Sequence, residues 1–226
     1  MERICPPIVI VNFKTYKEAT GKNALKLAKI AEKVTKQTGV SICIAPQYTD
    51  LTTIARSVDI PVFAQHVDPI DFGAHTGQIL PEAVKAAGAV GTLINHSERP
   101  LPLKSIEVVV DRVKSLGIVS VICSDTPQMA TSVAYLKPDM VSVEPPDLIG
   151  TGISVSKARP EEVLKTISLV RGVDAAAIIL CGAGITTGED AKAALKLGVN
   201  GVLVASGVVK ARKQETVLLD IAKAMT

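Results

Sequence analysis

Glu144 is the residue whose position in the sequence points most directly to chemistry. It follows the apolar run 141–143, and a carboxylate at the end of a strand can act as a general base. Two prolines stiffen the segment behind it, and the glycines near its end can offer bare backbone N–H groups to an anion. These features predict a rigid lid that closes over a small phosphorylated substrate. The lid residues are Pro145, Pro146, Ile149, Gly150, Thr151 and Gly152.

Two further polar side chains follow apolar runs earlier in the chain. Lys14 ends the motif Asn12-Phe13-Lys14, and taken alone it would be interpreted as an ordinary surface lysine. His96 alone would more often be a hydrogen-bonded structural histidine. Its place at a predicted strand end, ahead of the polar Ser97-Glu98-Arg99, favours a functional role instead.

Two loops rich in small residues are candidates for phosphate binding. Gly182-Ala183-Gly184 follows one apolar run, and Ala205-Ser206 follows the next. The small residues could serve only to ease packing between a strand and a helix. As a pair, they match the phosphate site that barrels often build from backbone amides after strands seven and eight. Neither loop has the Walker pattern, so ATP is not implied.

Eight short β-branched runs alternate with amphipathic segments, and the near-continuous apolar character of the runs is typical of strands in a parallel sheet. The first helical segment carries an apolar stripe on one face and lysines on the other, as a solvated helix does. Eight such units without a linker predict a single-domain (β/α)8 barrel over residues 1–226, an α/β fold with eight parallel strands. A doubly wound open sheet is the alternative. The runs are 8–11, 41–44, 61–64, 91–94, 119–123, 140–143, 178–181 and 201–204.

Composition narrows the function classes. Apolar residues make up 47% of the chain, the formal net charge is only +3 and Trp is absent, so we expect no nucleic-acid partner. There is no apolar stretch of about 18 residues and no secretory signal, which predicts a cytoplasmic protein without membrane contact. Four scattered cysteines indicate buried free thiols. His66 and His75 lack a local ligand pair, so we predict neither metal nor cofactor.

The motifs N-x-K at Lys14, H-S-E-R from His96 and E-P-P-x-L-I-G-T-G from Glu144, in this order, resemble the triosephosphate isomerase family. The resemblance covers essentially the whole chain. The short length of the chain and the hinge formed by Pro145 and Pro146 resemble the compact archaeal form of the family. It implies the TIM barrel fold and interconversion of dihydroxyacetone phosphate and D-glyceraldehyde 3-phosphate, a step of glycolysis and gluconeogenesis, without cofactor or metal.

The resemblance also implies residue roles. Glu144 would transfer the proton, His96 would polarise the carbonyl as a neutral imidazole, and Lys14 would supply positive charge, with Asn12 helping to bind. Ser97 and Glu98 would support these groups without touching the substrate. The phosphate would be held by Ile149, Gly150, Gly184, Ala205 and Ser206.

Surplus apolar residues on the fourth helix, with Met129, Val133 and Tyr135 on the next, predict a contact between subunits. Thr76 matches a family loop that reaches into a neighbouring subunit. We therefore expect a homotetramer or homodimer, with the compact form favouring the tetramer. Two other functions stay open at this point: a different phosphosugar-handling barrel enzyme (a synthase or lyase), or a non-catalytic phosphate-binding barrel.

Overall fold

The computed structural model describes residues 4–226, apart from the side chain of Pro146. Within this range the chain forms one eight-stranded sheet, and every recorded strand pair is parallel. The expected eight parallel strands are confirmed. They are β1 (Ile8–Asn12), β2 (Ser41–Ala45), β3 (Phe63–Ala64), β4 (Gly91–Ile94), β5 (Val119–Ser124), β6 (Met140–Val143), β7 (Ile178–Gly182) and β8 (Gly201–Val204).

The sheet curls into a barrel because β1 pairs with both β2 and β8. An open doubly wound sheet would not bring the first and last strands together, so that alternative is wrong. The barrel closes at a narrow seam between β2 and β3, where a single bridge joins Ile44 to Val62. β3 is shorter than the predicted run 61–64, since Pro61 has no N–H to donate.

Helices follow the strands around the barrel. The connection between β2 and β3 holds a short helix, α2 (Tyr48–Ala55). Their bounds are α1 (Lys22–Thr38), α2 (Tyr48–Ala55), α3 (Pro81–Ala86), α4 (Leu103–Ser115), α5 (Pro127–Ala134), α6 (Val155–Ala158), α7 (Pro160–Val173), α8 (Gly188–Lys196), α9 (Ser206–Val209) and α10 (Gln214–Lys223), with 3₁₀ turns at Lys17–Ala19 and Pro146–Leu148.

Strand residues alternate between two cores. Those facing outward pack against the helices, as Val141 and Val143 do, while those facing inward fill the barrel with a second apolar cluster. Met140 belongs to the inner cluster, so Ser142 and Glu144, two and four residues on, also face the interior. The alternation therefore directs Glu144 into the barrel mouth.

The prediction that Met129 and Val133 contribute to a surface between subunits is wrong. Val133 is fully buried against the barrel core, and Met129 is half-buried against the same cluster, because that side of α5 packs inward. Leu103 and Val108 on α4 and Tyr135 after α5 stay exposed. No helix among residues 4–226 has the length and apolar character to cross a membrane.

Candidate active site

Three of the predicted side chains meet at the carboxyl ends of the strands. Lys14 follows β1, His96 follows β4 and Glu144 follows β6, and each residue is less than 10% exposed. Glu144 Oε2 lies 3.6 Å from His96 Nε2. Charged groups buried this deeply are stable only with partners, so the contacts of each one define what it can do.

The contacts of His96 fix which ring nitrogen carries the proton. Its Nδ1 accepts a hydrogen bond of 3.1 Å from the backbone N–H of Glu98. An imidazole that accepts at Nδ1 carries its proton on Nε2 and is neutral. Nε2 is buried and has no hydrogen-bond partner among residues 4–226. The free N–H therefore points into the space beside Glu144, where it can donate to a substrate oxygen.

Lys14 is held by three separate contacts. Its backbone N–H donates to Asn12 Oδ1 (2.9 Å), and its Nζ donates to Glu98 Oε1 (2.8 Å). Its carbonyl accepts from Gln65 Nε2, which also donates to the carbonyl of Ala45. Glu98 therefore contacts both Lys14 and His96, and it couples the positions of the ammonium and the imidazole.

Glu144 is fixed from the strands on either side of it. Its backbone N–H donates to the carbonyl of Ser124 on β5 (2.8 Å), which continues the pairing of β6 beyond its last residue. On the β7 side its side chain lies against Gly182, where an added Cβ would be 2.3 Å from Glu144 Cγ. Below it, the Ser142 hydroxyl donates to Oε1 at 3.2 Å.

Backbone strain is concentrated around this cluster. Four non-glycine residues in the described chain have positive φ, and three of them lie at strand ends of the mouth: Lys14 (46°), Asn95 (60°) and Ala183 (70°). Such conformations cost on the order of 1–3 kcal/mol each and persist where surrounding contacts impose them. The strain indicates that these turns are shaped by the needs of the site.

The predicted phosphate residues line one pocket together with Lys14 and Glu144. At two glycines of this pocket the backbone lies so close to a neighbouring segment that a side chain would not fit. A Cβ on Gly184, whose φ is +70°, would lie 1.8 Å from the carbonyl oxygen of Ile153, and one on Gly207 would lie 2.8 Å from that of Ile185. At the start of α9 the amides of Ser206 and Gly207 have no recorded backbone acceptor within the described chain. The predicted residues in this pocket are Ile149, Gly150, Gly184, Ala205 and Ser206.

The lid is bonded within itself. The Thr151 hydroxyl donates to the carbonyl of Leu148 (2.8 Å) and accepts from the N–H of Ile153 (3.0 Å). Arg159 forms an ion pair with Asp147, which ties the segment after the lid to its beginning. Gly150 and Gly152 both have a φ of +77°. These contacts suit a loop that moves as one unit.

The remaining candidates lie farther from the cluster. Ser97 is exposed and lines a pocket beside Glu144. His66 pairs with Asp68 at 3.0 Å, and His75 is on an exposed loop. Among residues 4–226, no group of three or more His, Cys, Asp or Glu side chains is arranged to hold a metal ion.

The cysteines are free, and three of the four are buried. Burial and, to a smaller extent, the charge of Glu144 together raise the pKa of the Cys181 thiol to about 12. Burial, followed by the same carboxylate, raises the pKa of the Cys123 thiol as well. Both thiols therefore stay protonated at neutral pH and are not nucleophiles.

Three contributors escaped the sequence interpretation. Ser142 falls inside the predicted apolar strand 140–143, Gly182 falls in a candidate phosphate loop, and Gln65 lies just after the predicted strand 61–64. The period-two alternation places Ser142 and Glu144 on the same side of β6, and this signal could have identified the serine.

Comparison with known proteins identifies the family of this chain. The family model described as Triosephosphate isomerase matches residues 7–225. A protein named triosephosphate isomerase from Methanobacterium bryantii is 54% identical over 215 residues, which is 95% of each chain. Another from Methanocaldococcus jannaschii is 50% identical over 216 residues, 96% of this chain and 99% of that one. The chain therefore belongs to the triosephosphate isomerase family.

Proposed function

We propose that this protein interconverts dihydroxyacetone phosphate and D-glyceraldehyde 3-phosphate through an enediolate. The observation that carries the proposal is the buried arrangement of Glu144 and His96 beside Lys14. A carboxylate oxygen lies 3.6 Å from an imidazole N–H that has no other partner in the described chain. This is the pairing of base and hydrogen-bond donor that moving a proton next to a carbonyl group requires.

Glu144 acts as the base. A carboxylate oxygen accepts the proton from the carbon next to the carbonyl, the C–H electron pair becomes the enediolate double bond, and the carbonyl oxygen takes up the negative charge. His96 Nε2–H donates to that oxygen. The hydroxyl proton on the carbon that lost its hydrogen passes to the charged oxygen through His96 Nε2, so that this carbon can become the new carbonyl. Glu144 then returns its proton to the former carbonyl carbon. The division of roles between a carboxylate and a neutral imidazole is taken over from the family.

Lys14 and the phosphate pocket supply fixed positive potential. The ammonium stabilises the enediolate and the phosphate, and Asn12 keeps Lys14 in place through its backbone N–H. The amides of Gly150, Gly184 and Ser206 hold the phosphate. Ile149 belongs to the lid, whose closure excludes water, so the enediolate is protected from losing its phosphate.

The test is the steady-state rate of glyceraldehyde 3-phosphate isomerisation, measured for the wild type and for Glu144→Gln. The amide cannot take the proton, so we expect kcat to fall about 10³-fold or more while the fold persists. Glu189→Gln is the matched control, because Glu189 is an exposed carboxylate on α8. Equal rates for the wild type and Glu144→Gln would place the base elsewhere.

Two further measurements separate the other two functions. In a phosphosugar synthase or lyase that uses an amine, Lys14 would form a Schiff base with the substrate carbonyl, and borohydride would reduce it and leave the substrate attached to Lys14. A non-catalytic phosphate-binding barrel would bind phosphate but would not exchange carbon-bound substrate protons with solvent. Rapid isomerisation without borohydride trapping excludes both.

We further propose that the chain forms a homo-oligomer, with the tetramer favoured over the dimer. Phe72 is 73% exposed and Tyr135 is 70% exposed, and Val108 on α4 adds further exposed apolar surface. The loop 71–78, which contains Thr76, is exposed throughout. Light scattering should give a multiple of 23.7 kDa for the wild type and a smaller mass for Val108→Glu. A wild-type mass of one chain would refute the proposal.

Two further parts of the proposal concern the extent of the catalytic domain and the location of the protein in the cell. We infer that the whole chain, 1–226, acts as one catalytic domain, since the site draws on strand ends from around the entire barrel. Three buried free thiols and the triose phosphate substrate support a cytoplasmic role in glycolysis or gluconeogenesis. Fractionation of cells followed by the isomerase assay would test the location.

A further inference from the structure

The barrel interior beneath Glu144 is apolar apart from one hydroxyl group on β6. Ser142 is fully buried, and the register places Cys123 of β5 and Leu180 of β7 on either side of it. Both neighbours belong to the inner apolar cluster, and so does Met140, two residues earlier on the same strand. A hydroxyl group in such surroundings destabilises the fold unless it is hydrogen-bonded.

The hydroxyl of Ser142 has one recorded partner within the described chain, the carboxylate oxygen Oε1 of Glu144, at 3.2 Å. The two side chains are successive inward-facing residues of one strand, so the strand itself brings them together. A hydrogen bond to a charged acceptor is stronger than one between neutral groups. The contact therefore restrains the carboxylate from below.

We propose that Ser142 is a positioning residue for Glu144, an inference that rests on the proposed function. With Oε1 held by Ser142, the other oxygen, Oε2, faces His96 Nε2 at 3.6 Å. Oε2 is then the atom that exchanges the proton with the substrate carbon. Gly182 completes the placement, because its missing Cβ leaves the space in which the carboxylate side chain lies.

The first measurement compares Ser142→Ala with the wild type. Losing the hydrogen bond leaves the carboxylate free to rotate, so we expect kcat to fall about tenfold, with KM and the inhibition constant of inorganic phosphate changed less than twofold. Ser142→Cys keeps the size and a weak donor and should recover part of kcat.

A matched control separates positioning from a general loss of stability. Ser120 is also a fully buried strand serine whose hydroxyl donates to a carboxylate, that of Asp139 at 2.8 Å. Asp139 precedes β6, at the end of the barrel opposite to the site. Ser120→Ala should lower the unfolding temperature yet leave kcat unchanged.

The decisive measurement repeats Ser142→Ala in a Glu144→Asp background. The shorter aspartate withdraws its carboxylate from Ser142, so the second substitution should change the remaining kcat less than twofold. A tenfold loss in both backgrounds would overturn the positioning role, as would wild-type kcat in the single variant. A wild type that does not isomerise triose phosphates would instead refute the proposed function itself.

Discussion

Gly182 offers the sharpest test of how Glu144 is placed. A Cβ at this position would lie 2.3 Å from Glu144 Cγ and 2.7 Å from its Cδ. The backbone of Gly182 has no positive φ, so alanine can adopt the conformation without strain. Gly182→Ala therefore acts through one added methyl group against the base.

The size of the effect follows from these distances. The 2.3 Å approach is about 1 Å closer than the 3.4 Å at which ordinary contact begins, so the carboxylate must move by about that amount. Misplacing a reacting group by about 1 Å can cost about 10²-fold in rate. We expect kcat for isomerisation to fall by roughly this factor, with a smaller change in KM.

Gly172→Ala serves as the control for this variant. Gly172 lies in α7, and an added Cβ there meets nothing within 4 Å. Its activity should equal that of the wild type, and its stability should rise slightly, because alanine favours a helix over glycine. Wild-type kcat in Gly182→Ala would refute the claim that Gly182 makes room for the base.

Two further predictions concern Asp190, at the start of α8, and Gly184, in the pocket predicted to bind phosphate. Burial opposes the charge of Asp190, but Lys157 and the N–H groups of the loop before α8 lower its pKa to about 2. The charged carboxylate therefore stabilises the fold at pH values above its unfolded pKa. Asp190→Asn should lower the free energy of unfolding, measured with denaturant at neutral pH, by about 2 kcal/mol. The difference between the two proteins should vanish as the pH falls from about 4 to 2. Gly184→Ala combines a φ of +70° with a 1.8 Å approach to Ile153, so the inhibition constant of inorganic phosphate should rise about tenfold; unchanged phosphate binding would contradict the assigned wall.

The barrel was predictable because its strands are buried on both faces and so appear as continuous apolar runs. The same burial made Ser142 hard to recognise, since on a strand with no solvent-facing side a polar residue does not mark an exposed face, and only its spacing of two residues from Glu144 distinguishes it. The prediction that Val133 lies at a subunit contact was wrong for a related reason. Hydrophobic surplus on α4 and α5 does not tell which apolar side chains pack on the barrel and which remain outside.

The positions of Lys14, His96 and Glu144 at strand ends followed from the order of the runs. Their conformations did not. The positive φ of Lys14 is held by a local bond to Asn12 and a tertiary bond from Gln65, and no local preference of lysine signals it. The tautomer of His96 likewise depends on a backbone N–H that only the folded turn supplies.

The seam between β2 and β3 ties the mechanical integrity of the barrel to the charge of the site. Backbone pairing there is reduced to the Ile44–Val62 bridge, and Gln65 spans the gap above it by donating to the carbonyls of Ala45 and Lys14. An opening motion that separates these strands must break the bridge and the two hydrogen bonds of Gln65. Amide hydrogen exchange at Ile44, whose N–H donates to the carbonyl of Pro61 across the seam, would then report on the same opening that frees the Lys14 backbone from Gln65. The seam therefore also limits how long the site stays assembled.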